Sequence, residues 1–318
     1  MILYIFIFIV SCALLFWSGS FLVVAIMRMA RFLGWREFVV AFFLMSLAAS
    51  VPELLIGVSS ALHKIPELSF GNIVGANIIH FSLAIALCAL ILKGVTVESR
   101  TVQAGSAFTV IAAILPLLLI LDGDLSRLDG LSLILTYMFY ISWLFSRRER
   151  FTRIYDEIRE KEPVKQFRVF LKDLGFLFGG TILLLISAEG IIRSASFFAQ
   201  TLNVPLALVG ILIVGAGTAL PETYFCLQAA RKGQSWMILG SLMGCTAITA
   251  SLVLGIVALI QPIKIIDFSP FAIARFFLII SAIFFFFFVR TGRVITKREA
   301  LFLLAIYIAF VLVEILAR

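Results

Sequence analysis

Two acidic side chains stand where acids are costly. Glu53 closes the segment Ser46-Leu47-Ala48-Ala49-Ser50-Val51-Pro52-Glu53, and Glu222 closes Gly215-Ala216-Gly217-Thr218-Ala219-Leu220-Pro221-Glu222. Each segment lies in the middle of a long apolar run. A carboxylate near the bilayer centre costs at least about 2.5–3.5 kcal/mol on insertion scales, so it faces a bundle interior or a cavity and serves a function. Proline lacks an N–H, so the carbonyls of Ala48 and Gly217, four residues back, lose their helical donors. Freed carbonyl oxygens beside a carboxylate suit hard cations such as Ca²⁺ and Na⁺.

Helical spacing adds further candidates. Ser46, Ala49, Ser50 and Glu53 fall at i, i+3, i+4 and i+7, on one helix face. Gly215, Thr218, Ala219 and Glu222 repeat that pattern. In the runs that follow, Asn72, Ala76 and His80 form one stripe, and Ser241, Cys245 and Thr249 form another, each with steps of four. Gly71 with Gly75, and Gly240 with Gly244, make GxxxG pairs that allow close helix approach. Histidine titrates near neutral pH, so His80 is a candidate proton carrier. With Cys245 it favours a softer metal such as Mn²⁺ or Zn²⁺. The plainer alternative is a neutral histidine hydrogen-bonded inside the bundle.

These residues need helices that cross a membrane. Of 318 residues, 62% are hydrophobic and 14% charged, and the mean hydropathy is +1.14. So few polar residues cannot cover a water-soluble enzyme of this size. Apolar runs fall at 2–27, 38–61, 69–92, 103–121, 128–146, 174–199, 204–229, 235–261, 270–289 and 299–316. In lipid every backbone polar group needs an internal partner, so runs of this length are helices. The expected fold is all-α and polytopic, with ten transmembrane helices. The Phe284–Phe288 run reads as lipid-facing bulk. Glu189 and Arg193, four apart, read as a local pair, and His63 as a solvated residue at a span end.

The net charge of +8 reads as a topology signal and not as a nucleic-acid surface. Connections after odd-numbered runs hold 20 of the 26 Lys and Arg, including Arg28, Arg36, Arg231, Lys232, Arg290 and Arg298. That side is cytoplasmic by the positive-inside rule, which puts both termini outside a plasma or inner membrane. Ile9-Val10-Ser11-Cys12 has the outline of a lipidation box, but no positive charge precedes it and the apolar run continues past it. The four cysteines all lie inside apolar runs and read as buried thiols.

The chain repeats itself. A shift of 169 aligns Pro52 with Pro221, Glu53 with Glu222, Gly71 with Gly240, Gly75 with Gly244 and Ser82 with Ser251, without gaps. Residues 1–146 then form a first five-helix repeat, 147–168 a charged cytoplasmic linker, and 169–318 a second repeat. Five is odd, so the second copy enters the membrane inverted, as in many secondary transporters. Ten helices in two inverted fives also describe drug/metabolite transporters. The paired Pro-Glu motifs argue against that alternative, and the chain offers no catalytic constellation for an enzyme.

Ser50-Val51-Pro52-Glu53, Gly71-Asn72-Ile73-Val74-Gly75-Ala76-Asn77 and Gly217-Thr218-Ala219-Leu220-Pro221-Glu222 resemble the two α-repeats of the sodium/calcium exchangers, within the cation/Ca²⁺ antiporter superfamily. The resemblance implies a divergent prokaryotic-type antiporter that carries Ca²⁺ and Na⁺ and needs no cofactor. It implies that Glu53 and Glu222 share the divalent ion. Ala49, Ser50, Thr218 and Ala219 would add carbonyl and hydroxyl oxygens. It also implies that the first and sixth spans move across a more rigid core. Departures stand at Ala49, Ala76, Ala219, Cys245, His80 and Thr249, where the family carries hydroxyl, amide or carboxylate groups. They leave two carboxylates in the core, enough for one divalent ion. They weaken the Na⁺ sites, so a proton-coupled exchanger with a His-containing site is the alternative.

Overall fold

The computed structural model describes residues 1–32, 45–97, 100–146, 163–265 and 269–317. Arg36 and most of the expected linker lie outside the described residues. Apart from four two-residue strands, the regular structure described is helical.

Helix α1 (Ile2–Phe32) opens the chain. The second run forms α2 (Met45–Ala49) and α3 (Val51–Leu62). The third is α4 (Pro66–Ile79), a π-helical turn (His80–Ala84) and α5 (Ile85–Leu92). Strand β1 (Val95–Thr96), α6 (Arg100–Leu119), β2 (Asp124–Leu125) and α7 (Arg127–Ser146) complete the first half. Helix α8 (Pro163–Leu202) begins earlier than the expected span at 174, so the last residues assigned to the linker are helical. Then come α9 (Leu206–Val209), a π-helical turn (Gly210–Val214) and α10 (Gly215–Arg231). They are followed by α11 (Ser235–Ala247), a third π-helical turn (Ile248–Val253) and α12 (Leu254–Ile260). Strand β3 (Ile263–Lys264), α13 (Ser269–Thr291), β4 (Val294–Ile295) and α14 (Lys297–Leu316) end the chain.

Among the described residues, seven helical stretches are long and apolar enough to cross a membrane. Ile2–Ser18 and Val51–Leu62 are apolar but shorter. Within its described part the second run breaks at Ser50, whose φ of −84° and ψ of 0° end α2. Pro52 then falls in the first turn of α3, where a missing N–H loses nothing. Pro221 behaves differently, because α10 runs through it unbroken. Membrane helices tolerate such a proline where neighbouring groups satisfy the freed carbonyl. The kink expected at both motifs is therefore a helix break at the first only.

The innermost stretches are Pro66–Leu92 and Ser235–Ile260, 83% and 78% buried, against 28% for Lys297–Leu316. Glycine lets the first of these meet the second half backbone to backbone. A Cβ at Gly71 would land on the Ala207 carbonyl oxygen, and one at Gly75 on that of Ile211. Gly210 and Gly215 return the contact against Leu68, Asn72 and Gly75. The Phe284–Phe288 run is not simply lipid-facing. Phe285 is fully buried, with its ring 5.1 Å from that of Phe81. Phe284 and Phe288 both meet Phe302. Leu278, Ala282, Phe285 and Val289 face inward at helical spacing while Phe287 is exposed, so a run of five phenylalanines covers both core and rim.

A smaller apolar cluster, including Leu15, Ile56, Leu68, Leu184, Ala188 and Ile191, joins α1 and α8 to α3 and α4. Helices α1 and α8 pack along one another. Tyr4 stacks on Phe197 at 4.0 Å, and Gly190 admits the side chain of Ser11. The strands pair antiparallel across the two halves. β1 joins β4 with Val95 opposite Ile295, and β2 joins β3 with Leu125 opposite Ile263.

Candidate cation site

The break at Ser50 puts Glu53 in the first turn of α3, and Glu222 projects from α10 one residue past Pro221. Both are buried, at 1% and 2% exposure. Their carboxyl groups are close enough to interact electrostatically. The two carboxyl groups lie within hydrogen-bonding reach of each other, and outside that contact both oxygens of Glu53 and the Oε2 of Glu222 are buried with no hydrogen-bond partner. Buried polar atoms are normally satisfied. Two buried carboxyl groups with little but each other to bond are acceptors suited to a positive charge.

Cys245 links the two motifs. Its Sγ lies 3.1 Å from Ser50 Oγ and donates to Glu222 Oε1 at 3.6 Å. Ser50 Oγ also donates to the Ser46 carbonyl at 2.8 Å. Ser46 Oγ reaches the Gly240 carbonyl at 3.4 Å, and its side chain lies against Gly244. On the second motif Thr218 Oγ1 donates to Asn72 Oδ1 at 2.8 Å. Asn72 Nδ2 is buried without a partner. Ala49 is half-buried at the end of α2 and brings no side-chain donor or acceptor.

His80 and Thr249 form a separate seam between the π-helical turns. His80 Nδ1 lies 3.3 Å from Thr246 Oγ1, and Thr249 Oγ1 donates to Asn77 Oδ1 at 3.4 Å. All four residues are buried. No hydrogen bond or ion pair joins His80 to either glutamate among the described residues. Among the described residues no group of three His, Cys, Asp or Glu side chains converges as a metal cluster, at the seam or at the glutamate pair. The stripe Asn72, Ala76, His80 therefore divides, with Asn72 at the Thr218 motif and His80 on the seam. Thr246 goes unnoticed in the sequence reading. The signal for it is the 169-residue shift, which places it on Asn77.

Outside this centre one expectation holds and one does not. Arg193 Nε donates to Glu189 Oε1 at 2.7 Å, the local pair. His63 is more than a solvated cap. Its Nε2 stands 3.5 Å from the same Glu189 oxygen. The four cysteines are free thiols, and three of them are buried.

Since Thr218 spends its hydroxyl proton on Asn72, Thr218→Val should unbind Asn72 without emptying the core. Loss of one buried hydrogen bond of about 1 kcal/mol predicts a rise of a few-fold in the half-saturating cation concentration. Uptake by purified protein in liposomes checks this.

A family model described as "Sodium/calcium exchanger protein" matches residues 3–146 and 172–316. The chain is 24% identical over 330 residues to the sodium/calcium exchanger MaX1 of Methanosarcina acetivorans, covering 93% of this chain and 94% of that one. It is 25% identical over 282 residues to the inner membrane protein YrbG of Escherichia coli, covering 87% and 86%. Among solved structures, the sodium-calcium exchanger NCX_Mj soaked with 2.5 mM Na⁺ and 10 mM Sr²⁺ superimposes over 98% of each chain. The TM-score is 0.66 at 24% identity, a likeness of fold.

Proposed function

Because the chain belongs to the sodium/calcium exchanger protein family, we propose that it exchanges Ca²⁺, or a similar divalent cation, for Na⁺ across its membrane, with Glu53 and Glu222 sharing the divalent ion. Family membership itself makes the protein a multi-pass membrane antiporter and not an enzyme. The observation that carries the finer reading is the pair of buried glutamates that face each other, with three carboxyl oxygens that have no partner outside the pair. Two negative charges match one divalent cation. Ser50, Thr218, Asn72, Ser46 and the backbone about Ala49 surround them with further oxygens, and Cys245 fills the gap between the motifs. MaX1 bears the name of a sodium/calcium exchanger, and another relative, CaxA of Alkalimonas amylolytica, that of a putative antiporter.

The architecture we propose is ten membrane helices in two inverted repeats, 1–146 and 169–318, joined by a cytoplasmic linker at 147–168. Two facts support it. The π-helical turns at His80–Ala84 and Ile248–Val253 overlap under the 169-residue shift. The shift also carries β1 onto β3 and β2 onto β4 within one residue, so the pairs β1–β4 and β2–β3 exchange with each other. Alternating access then slides α1 and α8, which share their own apolar cluster, past the two glutamates. The charge count places both termini outside, in the inner membrane.

The test is ⁴⁵Ca²⁺ uptake into proteoliposomes with an imposed Na⁺ gradient, compared with an imposed pH gradient. The expected result is uptake driven by outward-directed Na⁺. Uptake driven by pH alone would favour the proton-coupled alternative, and no uptake under either gradient would overturn the assignment. His80→Asn separates the alternatives further. The seam holds His80 through Thr246, with no hydrogen bond or ion pair to either glutamate among the described residues, so the variant should keep its Ca²⁺ uptake within about threefold, one lost hydrogen bond.

A further inference from the structure

His63, Glu189 and Arg193 form a polar cluster that the cation site does not use. His63 ends α3, and its turn leads into α4. Glu189 and Arg193 belong to α8. The cluster is part-exposed, with side chains 46%, 32% and 72% accessible. It is thus a polar tie between a helix of the core and a helix of the α1–α8 pair.

The imidazole faces two acceptors. His63 Nδ1 stands 2.8 Å from the Ser59 carbonyl oxygen, which can only accept, so this nitrogen carries a proton. In neutral histidine the other nitrogen, Nε2, then presents a lone pair, and it points at Glu189 Oε1 3.5 Å away. A lone pair facing a carboxylate oxygen is repulsive. When the ring takes a second proton, both nitrogens donate, one to Ser59 and one to Glu189. Arg193 holds that Glu189 oxygen at 2.7 Å, which fixes the carboxylate in line with the ring. Other titratable groups on neighbouring elements are Lys64 beside the ring, Glu67 on α4 and Tyr4 on α1. None of them makes a hydrogen bond or ion pair with His63 among the described residues.

We propose that His63 and Glu189 form a proton-operated latch between the core and α8, which holds the present arrangement of the two when His63 is protonated and loosens it when the ring is neutral. The inference rests on the reading above only in taking α8 as a moving element. Protonation then slows exchange, because each cycle must break the latch.

The experiment compares the pH dependence of cation uptake in wild type, His63→Ala, Glu189→Gln and the double variant. An exposed ion pair is weak, so the expected effect is about a threefold fall in wild-type rate on acidification, beyond that of the variants. The double variant should match either single one, as two partners of one contact do. His63→Ala with an unchanged wild-type pH profile, or a double variant that sums the singles, overturns the latch. The chain has two histidines, so in a His80→Asn background the ¹⁵N spectrum reports His63 alone. Its Nε2 resonance at low pH should move on Glu189→Gln, and a resonance that does not move overturns the pair without any transport assay. Absence of wild-type uptake of any cation counts against the exchanger reading, and the spectrum still decides the latch.

Discussion

Glu53→Gln or Glu222→Gln is expected to lower divalent uptake by about 100-fold or more while the protein remains folded. Each amide keeps the shape of the side chain and removes one of two charges that face the ion. Removing one partner of a buried charge interaction costs about 3–5 kcal/mol, and each 1.4 kcal/mol is a factor of ten in binding. Neither glutamate makes a salt bridge within the described residues, so neutralising one strands no positive side chain. Thermal unfolding in detergent without divalent ions should change little or rise slightly, since two buried carboxyls no longer face each other. Uptake and melting together separate ion binding from folding. Uptake near wild type in both variants would end the assignment of this site.

Gly75→Ala is expected to have the largest effect on stability. Its methyl group would fall on the carbonyl oxygen of Ile211, with the Cα of that residue within 2.9 Å. The obstacle is backbone, so no side-chain rotation relieves it, and α4 must separate from the π-helical turn at Gly210–Val214. Overpacking of this sort costs about 1–3 kcal/mol, and the fixed neighbour places this position at the upper end. The readout is the melting temperature of the detergent-purified variant, with Gly175→Ala as control. A methyl group at Gly175 meets nothing within 4 Å and should leave melting unchanged or raise it, because alanine is the better helix former. Separation at Gly75 also displaces Asn72 from Thr218, so uptake should fall with stability.

Much of this was legible in the sequence, for identifiable reasons. A carboxylate inside an apolar run is costly, and Glu53 and Glu222 stood out among such acids because both follow a proline and one shift of 169 residues aligned them. The same shift found the glycines at 71 and 75, whose missing Cβ atoms the packing of α4 uses. Other features depend on contacts that no local pattern encodes. Cys245 reads as a buried thiol in its own run, and its place between Ser50 and Glu222 exists only when α11 meets α2 and α10. His80 shares a face with Asn72 by periodicity, but its partner Thr246 lies on another helix, which no local pattern encodes. Two identical Pro-Glu dipeptides gave one broken helix and one continuous helix, so the dipeptide alone does not encode the break. The Phe284–Phe288 run misled for the opposite reason. Its composition carries no phase, so only the turn of α13 shows that Phe285 faces Phe81.

The crossed strand pairs have a consequence for how the protein is made. Val95 must meet Ile295, and Leu125 must meet Ile263. A ribosome adds about 5–20 residues per second, so β1 waits about ten seconds or longer for β4 to be synthesised. During that interval the early helices sit in the membrane with strand edges unmatched, and the clasp closes only with the arrival of β4, just before the last helix. Assembly is therefore completed from the far end of the chain, and a ribosome stalled before residue 294 leaves a nascent protein whose two halves are fastened by one clasp instead of two.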